Sequence, residues 1–462
     1  MYFLNNLVNP ESGERLTLLY YLLSFVSTML VTYIAIAATG STLSLYFNRK
    51  GMKRGNRVYR RFARNLIDVA VPGKGVVAAL AGLPIVTIIL IYAELLYNTN
   101  ADITNFITAS AVLIVVGLMF LLAYRYGFRL EGFVEAYKKL TPSQKTEIGD
   151  ASAVDLDAME ISAHQTRRRA GMFGAAMLWL GMWVFLGGSN LALDSQAWPK
   201  HAGALAVIFS WTTIWSFIHF VTAAVVIESA AILFFFFIWD GGLGVSNDEE
   251  YAAYVKRFAI NAGLLFAIAQ PLLILVDLTL IPSAARDGAV FGLAGLMLLV
   301  VFILVHFFYA MLKERKVRFG SYAFIGVVVM VGAWMTAQGF SFSKSNEAHY
   351  QLMAGSYDKM LSELPEVQTA EISGEQIYKQ TCSACHRFDT RLVGPPYNMV
   401  LPGYVGKEER LEQFINSPTN ILKGYPPMPK QGLNSTQVHA VAEYIMNYYL
   451  AEKKNGKAGY TE

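Results

Sequence analysis

The chain has 462 residues, of which 54% are hydrophobic and 16% charged, and its mean hydropathy is +0.38. That is too apolar for a soluble domain, and it excludes a disordered chain. The formal net charge is only +4, so no nucleic-acid partner is expected and the distribution of charge matters more than its sum.

From the start of the chain, the first apolar run, 16–47, carries no charge and is far longer than a signal-peptide core. It reads as a membrane helix. Runs of membrane length follow at 75–93, 103–124, 170–193, 202–239, 258–276, 288–312 and 319–343. Backbone in lipid must satisfy its own hydrogen bonds, so an all-α, polytopic protein of about eight transmembrane helices is expected. The run at 202–239 is long enough for one tilted helix or for two segments with a break.

Basic residues fall on alternate connections. Arg49, Lys50, Lys53, Arg54, Arg57, Arg60, Arg61 and Arg64 follow the first run, Arg167-Arg168-Arg169 precede the fourth, and Lys313, Arg315, Lys316 and Arg318 form the last hairpin. The positive-inside rule puts these on the cytoplasmic side of an inner membrane and both termini outside. Residues 145–169 are expected as a short helix near headgroups, where the triple arginine meets anionic lipid. His164 is expected in solvent.

An internal repeat is visible. Tyr59-Arg60-Arg61-Phe62-Ala63-Arg64-Asn65 resembles Tyr254-Val255-Lys256-Arg257-Phe258-Ala259-Ile260-Asn261, and each copy is followed by a proline, Pro84 or Pro271. Ser24-Phe25-Val26 likewise resembles Ser216-Phe217-Ile218. Two four-helix bundles are expected, 1–193 (with a cytoplasmic loop at 125–169) and 194–343. A polar linker at 344–370 then leads to a domain at 371–462.

That last domain holds both cysteines of the chain, in Cys382-Ser383-Ala384-Cys385-His386. Two thiols on one turn can form thioethers to haem vinyl groups while the next imidazole reaches the iron. With no other cysteine, a four-thiolate zinc site is excluded. Val393-Gly394-Pro395-Pro396 and Tyr425-Pro426-Pro427-Met428-Pro429 follow, and 435–451 shows apolar residues at helical spacing. With these features, residues 371–451 resemble a small class I cytochrome c domain. The resemblance implies one covalent haem c, with Cys382, Cys385, His386, Pro395 and Met428 in its binding set. His386 is then the proximal iron ligand and Met428 the distal one, ahead of Met399 and Met446, which lack a proline-rich strap.

Ile227-Glu228-Ser229, Phe234–Phe237, Trp239-Asp240 and Phe308-Tyr309-Ala310-Met311-Leu312-Lys313 remotely resemble cytochrome bd oxidase subunit I. The Gly-Arg-Gln-Pro-Trp motif and the quinol-binding loop of that subunit are absent.

Intramembrane polar residues are the remaining candidates, because burying them is costly. His219, near the middle of its run, needs either a hydrogen-bonding neighbour or iron, and is the candidate ligand of a second, b-type haem. Glu228 lies nine residues on and therefore on the opposite helix face. Glu228 and Asp277 are candidates for a proton path or a quinol contact. His306 is expected at the interface and Glu94 in solvent.

Three functions fit these residues. The chain is read first as a membrane-bound electron carrier within a respiratory complex, partnered by other subunits or soluble periplasmic redox proteins. The others are a quinol-oxidising or oxygen-reducing enzyme with an added haem b, and a membrane anchor for a larger redox complex.

Overall fold

The computed structural model describes residues 11–454 except 98, 100, 139–149, 199–202, 364–372 and 420–421. The chain forms two compact units, Met1–Lys359 and Met360–Glu462. The described secondary structure is all helical.

The first unit contains eight helices long and apolar enough to cross a membrane: Gly13–Arg54, Lys74–Leu95, Ile103–Glu131, Arg167–Leu193, Trp211–Phe237, Glu249–Leu280, Gly288–Glu314 and Gly320–Ser345. They are called spans one to eight. Each overlies one of the expected apolar runs, as lipid requires of a chain that cannot leave backbone groups unpaired. One apolar cluster draws on all eight.

The long run at 202–239 is broken. A short helical segment, Ala204–Ile208, stops before Ser210, whose hydroxyl accepts from the Thr213 amide at 3.2 Å and caps the fifth span. His219 therefore lies eight residues inside its helix, ~12 Å from the end, rather than at its middle.

Residues 150–169 do not form a separate surface helix. They continue into the fourth span as one helix, Asp150–Leu193, because neither glycine nor proline interrupts 150–170. This helix packs along Ile103–Lys138 at close range. A Cβ on Gly117 or Gly174 would stand 3.1 or 3.0 Å from the other's carbonyl oxygen, so only glycine allows this approach. Of the three arginines expected at lipid, Arg167 turns inward. It pairs with Glu131, and its guanidinium lies 4.7 Å over the Phe128 ring, whereas Arg168 and Arg169 are exposed.

The basic stretch after the first span is itself partly helical. Gly55 reverses the chain at φ +60° and Asn56 caps a helix, Arg57–Ala70, that buries Phe62, Ala63, Leu66, Ile67 and Ala70. The two copies of the repeated motif meet here. Tyr59 and Tyr254 have ring centroids 5.4 Å apart, and Phe62 and Phe258 also 5.4 Å. Each motif thus packs on its own counterpart.

The first part of the expected linker is ordered. Asn346 donates to the Tyr20 hydroxyl at 2.8 Å and to the Leu95 carbonyl at 3.1 Å. A helix, Glu347–Glu363, follows, and its Tyr350 hydroxyl donates to the Gly13 carbonyl at 2.8 Å. Residues 364–370 of that linker lie outside the described residues.

The second unit is built from Gly374–Ile377, Tyr397–Val400, Glu408–Asn416 and Ser435–Lys454. Val438, Val441, Ala442, Ile445 and Tyr449 of the last helix enter its core with Ile377, Leu401, Leu411 and Ile415. The first and last helices cross at Gly374, where a Cβ would collide with the Ala440 carbonyl.

Candidate haem-attachment site

Ser373 caps the helix that leads into the site, its hydroxyl accepting from the Gln376 amide at 3.3 Å. The chain then widens into a π turn, Tyr378–Cys382, closed by the Ser383 amide donating to the Tyr378 carbonyl at 2.8 Å. The amides of Cys385 and His386 both donate to the Cys382 carbonyl, at 3.1 and 2.9 Å. One turn therefore carries both thiols and the imidazole. Cys382 is buried and Cys385 half-buried, and neither forms a disulfide. Burial pushes the Cys382 thiol up from its usual range, and a hydrogen bond with the Tyr397 hydroxyl partly offsets this.

The loop after the motif folds back onto it. The Gly394 amide donates to the Cys385 carbonyl at 2.7 Å, and the Tyr397 amide to the Arg387 carbonyl at 2.9 Å. This brings the Pro395 carbonyl to 2.9 Å from His386 Nδ1. A carbonyl only accepts, so Nδ1 carries the proton and Nε2 keeps its lone pair. The ring is held on a second side by Tyr397, stacked at 5.1 Å and 11°. Two thiols beside an imidazole fixed in the Nε2-ligating tautomer fit a c-type haem. Proline at 395 contributes its carbonyl, which any residue has; its lack of an N–H is not what the contact uses.

Gly394 lies against the same ring. A Cβ there would stand 2.7 Å from Nδ1 and 2.8 Å from Nε2 of His386. Gly394→Ala should therefore displace the imidazole and cut covalent haem per chain severalfold, read from the haem absorbance of purified protein. Wild-type haem content would show that the ring can move without loss. Gly394 and Tyr397 were not expected at the site. Gly394 stood within a noted motif, but nothing local marks Tyr397, which reaches the ring only through the fold.

The three methionines differ in placement. Met428 is half-buried in the non-helical 425–429 strap. Met399 is 45% exposed, and Met446 is 2% exposed within the apolar core. Arg391 ties the strap to the loop near His386. It donates to the Gly424 carbonyl at 3.0 Å, and its guanidinium lies 4.5 Å over Tyr425. Gly424 itself has φ +93°, a conformation other residues rarely adopt.

Across the domain, His439 Nδ1 donates to Glu412 at 2.7 Å, joining helix Ser435–Lys454 to Glu408–Asn416. This hydrogen bond raises the His439 pKa above its usual value near 6.5. The pair's contribution is full below that value and fades as pH rises through the raised one. Glu412→Gln should flatten this part of the pH dependence of the domain's Tm. The shift is small, because the imidazole is exposed.

Among the membrane candidates, His219 is buried and both ring nitrogens are engaged. Nδ1 meets Asp277 and Nε2 lies 3.1 Å from Gln270 Oε1, while Trp334 stacks on the ring at 4.9 Å. The Gln270 amide nitrogen already faces the Phe266 carbonyl and the Thr222 hydroxyl. Its oxygen is thus the atom turned to His219 Nε2. Glu228 faces elsewhere, toward Gly40 of the first span, as a nine-residue offset requires. His306 is exposed and bonds within its own helix, to the Phe302 carbonyl at 2.8 Å. Glu94, expected in solvent, is 16% exposed and lies 3.5 Å from Arg15. The side chain of His164 lies outside the described residues.

The turn, the fixed imidazole and the returning loop define a cytochrome c domain. Residues 370–445 match the family model described as cytochrome C oxidase, cbb3-type, subunit III. The chain is 31% identical over 78 residues to cytochrome c-551 of Pseudomonas denitrificans, covering 95% of that protein and 16% of this chain. It is 29% identical over 80 residues to cytochrome c-551 of Azotobacter vinelandii, covering 98% of it and 16% of this chain. It is 32% identical over 69 residues to cytochrome c-551 of Pseudomonas aeruginosa, covering 66% of it and 14% of this chain. Through its C-terminal domain the chain belongs to the cytochrome c family, here joined to a multi-pass membrane unit. The remote likeness to cytochrome bd oxidase subunit I expected at 227–240 and 308–313 is unsupported by these comparisons.

Proposed function

We propose that this protein is a membrane-bound c-type cytochrome that carries single electrons as a subunit of a respiratory electron-transfer complex. The observation that carries this reading is the His386 Nδ1 hydrogen bond to Pro395, which leaves Nε2 free beside two unpaired thiols. The printed description of the matching family model supports the respiratory setting. Cys382 and Cys385 would hold the haem, His386 would ligate its iron, and Met428 would take the opposite face. When bound, the haem supplies a one-electron redox centre. The protein's part is to fix the imidazole tautomer, hold the strap and exclude water from one side of the site. His386 and Met428 as a ligand pair would favour reduced iron and a raised potential.

The enzyme reading needs iron on His219. In the folded unit Nδ1 meets Asp277 and Nε2 meets Gln270, so both nitrogens are engaged by side chains. We infer that His219 is a hydrogen-bonding residue and that the chain carries haem c alone. Acid–acetone extraction of the purified protein tests this: all haem should remain with the chain. One removable haem b per chain, lost in His219→Ala, would overturn the inference.

The proposed orientation places the basic connections in the cytoplasm and the cytochrome domain on the outer side. Reporter fusions after Tyr97 and after Lys313 should report opposite compartments, since five spans separate them. The same compartment for both would overturn this topology.

A further inference from the structure

The fourth to eighth spans enclose a cavity of about 240 Å³ that opens at the end of the bundle marked by Ser210 and Ile281. We propose that this cavity is a water-filled inlet through which the His219–Asp277 pair exchanges protons with the solution at that end. This role rests on the reading of His219 as a hydrogen-bonding residue.

The inlet is deep and ends at the pair. His219, Met297 and Trp334 line its inner part and lie eight, nine and eleven residues from the same end of their helices. At ~1.5 Å per residue that is a depth of ~12 to ~17 Å. Beyond His219 stands Gln270, two turns deeper than Asp277 on the sixth span, fully buried and with its oxygen 3.1 Å from Nε2. Gln270 is not part of the cavity wall. The pair is therefore reached from one end.

The lining decides the occupant. Among the described residues the Gln338 amide nitrogen and the Ser341 hydroxyl have no partner, and the Ser216 hydroxyl, which accepts from Asn190 at 3.1 Å, has nothing to donate to. Asp277 meets His219 through one oxygen, and its side chain is 25% exposed. The open positions are thus donors and acceptors together. Water serves both kinds at once and links one group to the next. An apolar cavity stays dry, but one with these polar walls holds water, with room for about eight molecules at ~30 Å³ each.

Charge favours the proton. Asp194 and Asp277 are the acidic side chains on the lining, and no lysine or arginine stands beside them. Such a cleft draws cations and repels anions. The other elements packed around the pair add no charge there: Asn190 comes from the fourth span, Met297 from the seventh, and Trp334 from the eighth, stacked on the imidazole at 4.9 Å. The hydrogen bond between His219 Nδ1 and Asp277 holds one proton. A second arrives along hydrogen-bonded water, raises the charge of the pair by one and leaves by the same route, with no other bond changed. Glu228 on the same helix marks the contrast. It is 2% exposed and lines no part of the cavity, so the polar route leads to one buried titratable group of the fifth span and not to the other.

Hydrogen exchange at histidine Cε1 tests this, because that proton leaves only when hydroxide from water meets a protonated ring. The full chain in lipid nanodiscs is held in D2O, and deuterium at each histidine is read by mass spectrometry. His219 should gain deuterium at a rate within severalfold of exposed His439 in the same sample. Met297→Trp fills the inner part of the inlet and should slow His219 severalfold without changing His439. Leu275→Trp, at a half-exposed position on the sixth span outside the cavity, should change neither. Asp277→Asn should also slow His219 severalfold, since the carboxylate no longer holds the added proton on the pair. A His219 that stays protected while His439 exchanges would overturn the proposal, as would equal His219 rates in the wild type and Met297→Trp. The wild-type comparison of the two histidines decides the matter even where a variant fails to fold. A removable haem b lost in His219→Ala would overturn the underlying reading of His219 as well, whereas a protected His219 in a chain without haem b overturns the inlet alone.

Discussion

Replacing Cys382 and Cys385 together with alanine should abolish haem-dependent staining of the denatured chain. The effect is complete because the chain has only 2 Cys and both lie on this turn. Non-covalent contacts cannot hold haem through denaturation, whereas one remaining thioether can, so each single variant should keep part of the signal. The membrane unit has its own apolar core and no cysteine, so the double variant should still insert and be recovered from membranes. Residual staining of the double variant would falsify covalent attachment at this motif.

Met428→Ala should leave the haem attached but lower its potential by on the order of a few tenths of a volt. Axial ligands set haem potentials over roughly 0.8 V, and a thioether opposite imidazole favours reduced iron. Met428 would hold the iron's remaining position, so without its sulfur the reduced variant should bind carbon monoxide where the wild type does not. Placement separates the three methionines: the sulfur of Met446 is packed in the core, and Met399 is turned to solvent. If Met399→Ala gave the carbon monoxide complex and Met428→Ala did not, the ligand assignment would move. Arg391→Ala should produce a weaker form of the same change. It frees the Gly424 carbonyl and the Tyr425 ring and so loosens the strap without removing the ligand. A potential that falls in Met428→Ala and stays unchanged in Arg391→Ala would mean that the strap is held by other contacts.

The sequence by itself determined the eight spans, the all-helical class and the attachment site. These depend on local regularities: apolar length set by bilayer thickness, and two thiols and an imidazole within five residues of chain. What depended on partners distant in sequence was not legible. Arg167 looked like a headgroup contact until its side chain was found paired with Glu131, 36 residues earlier. Over 150–169 the expected surface helix runs on into the fourth span because no breaker stands between 150 and 170, and the fifth run is broken ahead of a serine cap. His219 was ambiguous for the same reason. An imidazole between apolar neighbours calls for a partner, and the side chains that meet it, Gln270 and Asp277, lie more than fifty residues on. Only the tertiary structure sets Asp277 at Nδ1 and Gln270 at Nε2, the contacts on which the proposal of a hydrogen-bonding His219 rests. It likewise brought Gly394 and Tyr397 onto the His386 ring, because the loop bonds to the CxxCH turn through backbone groups that every residue shares and no sequence pattern marks.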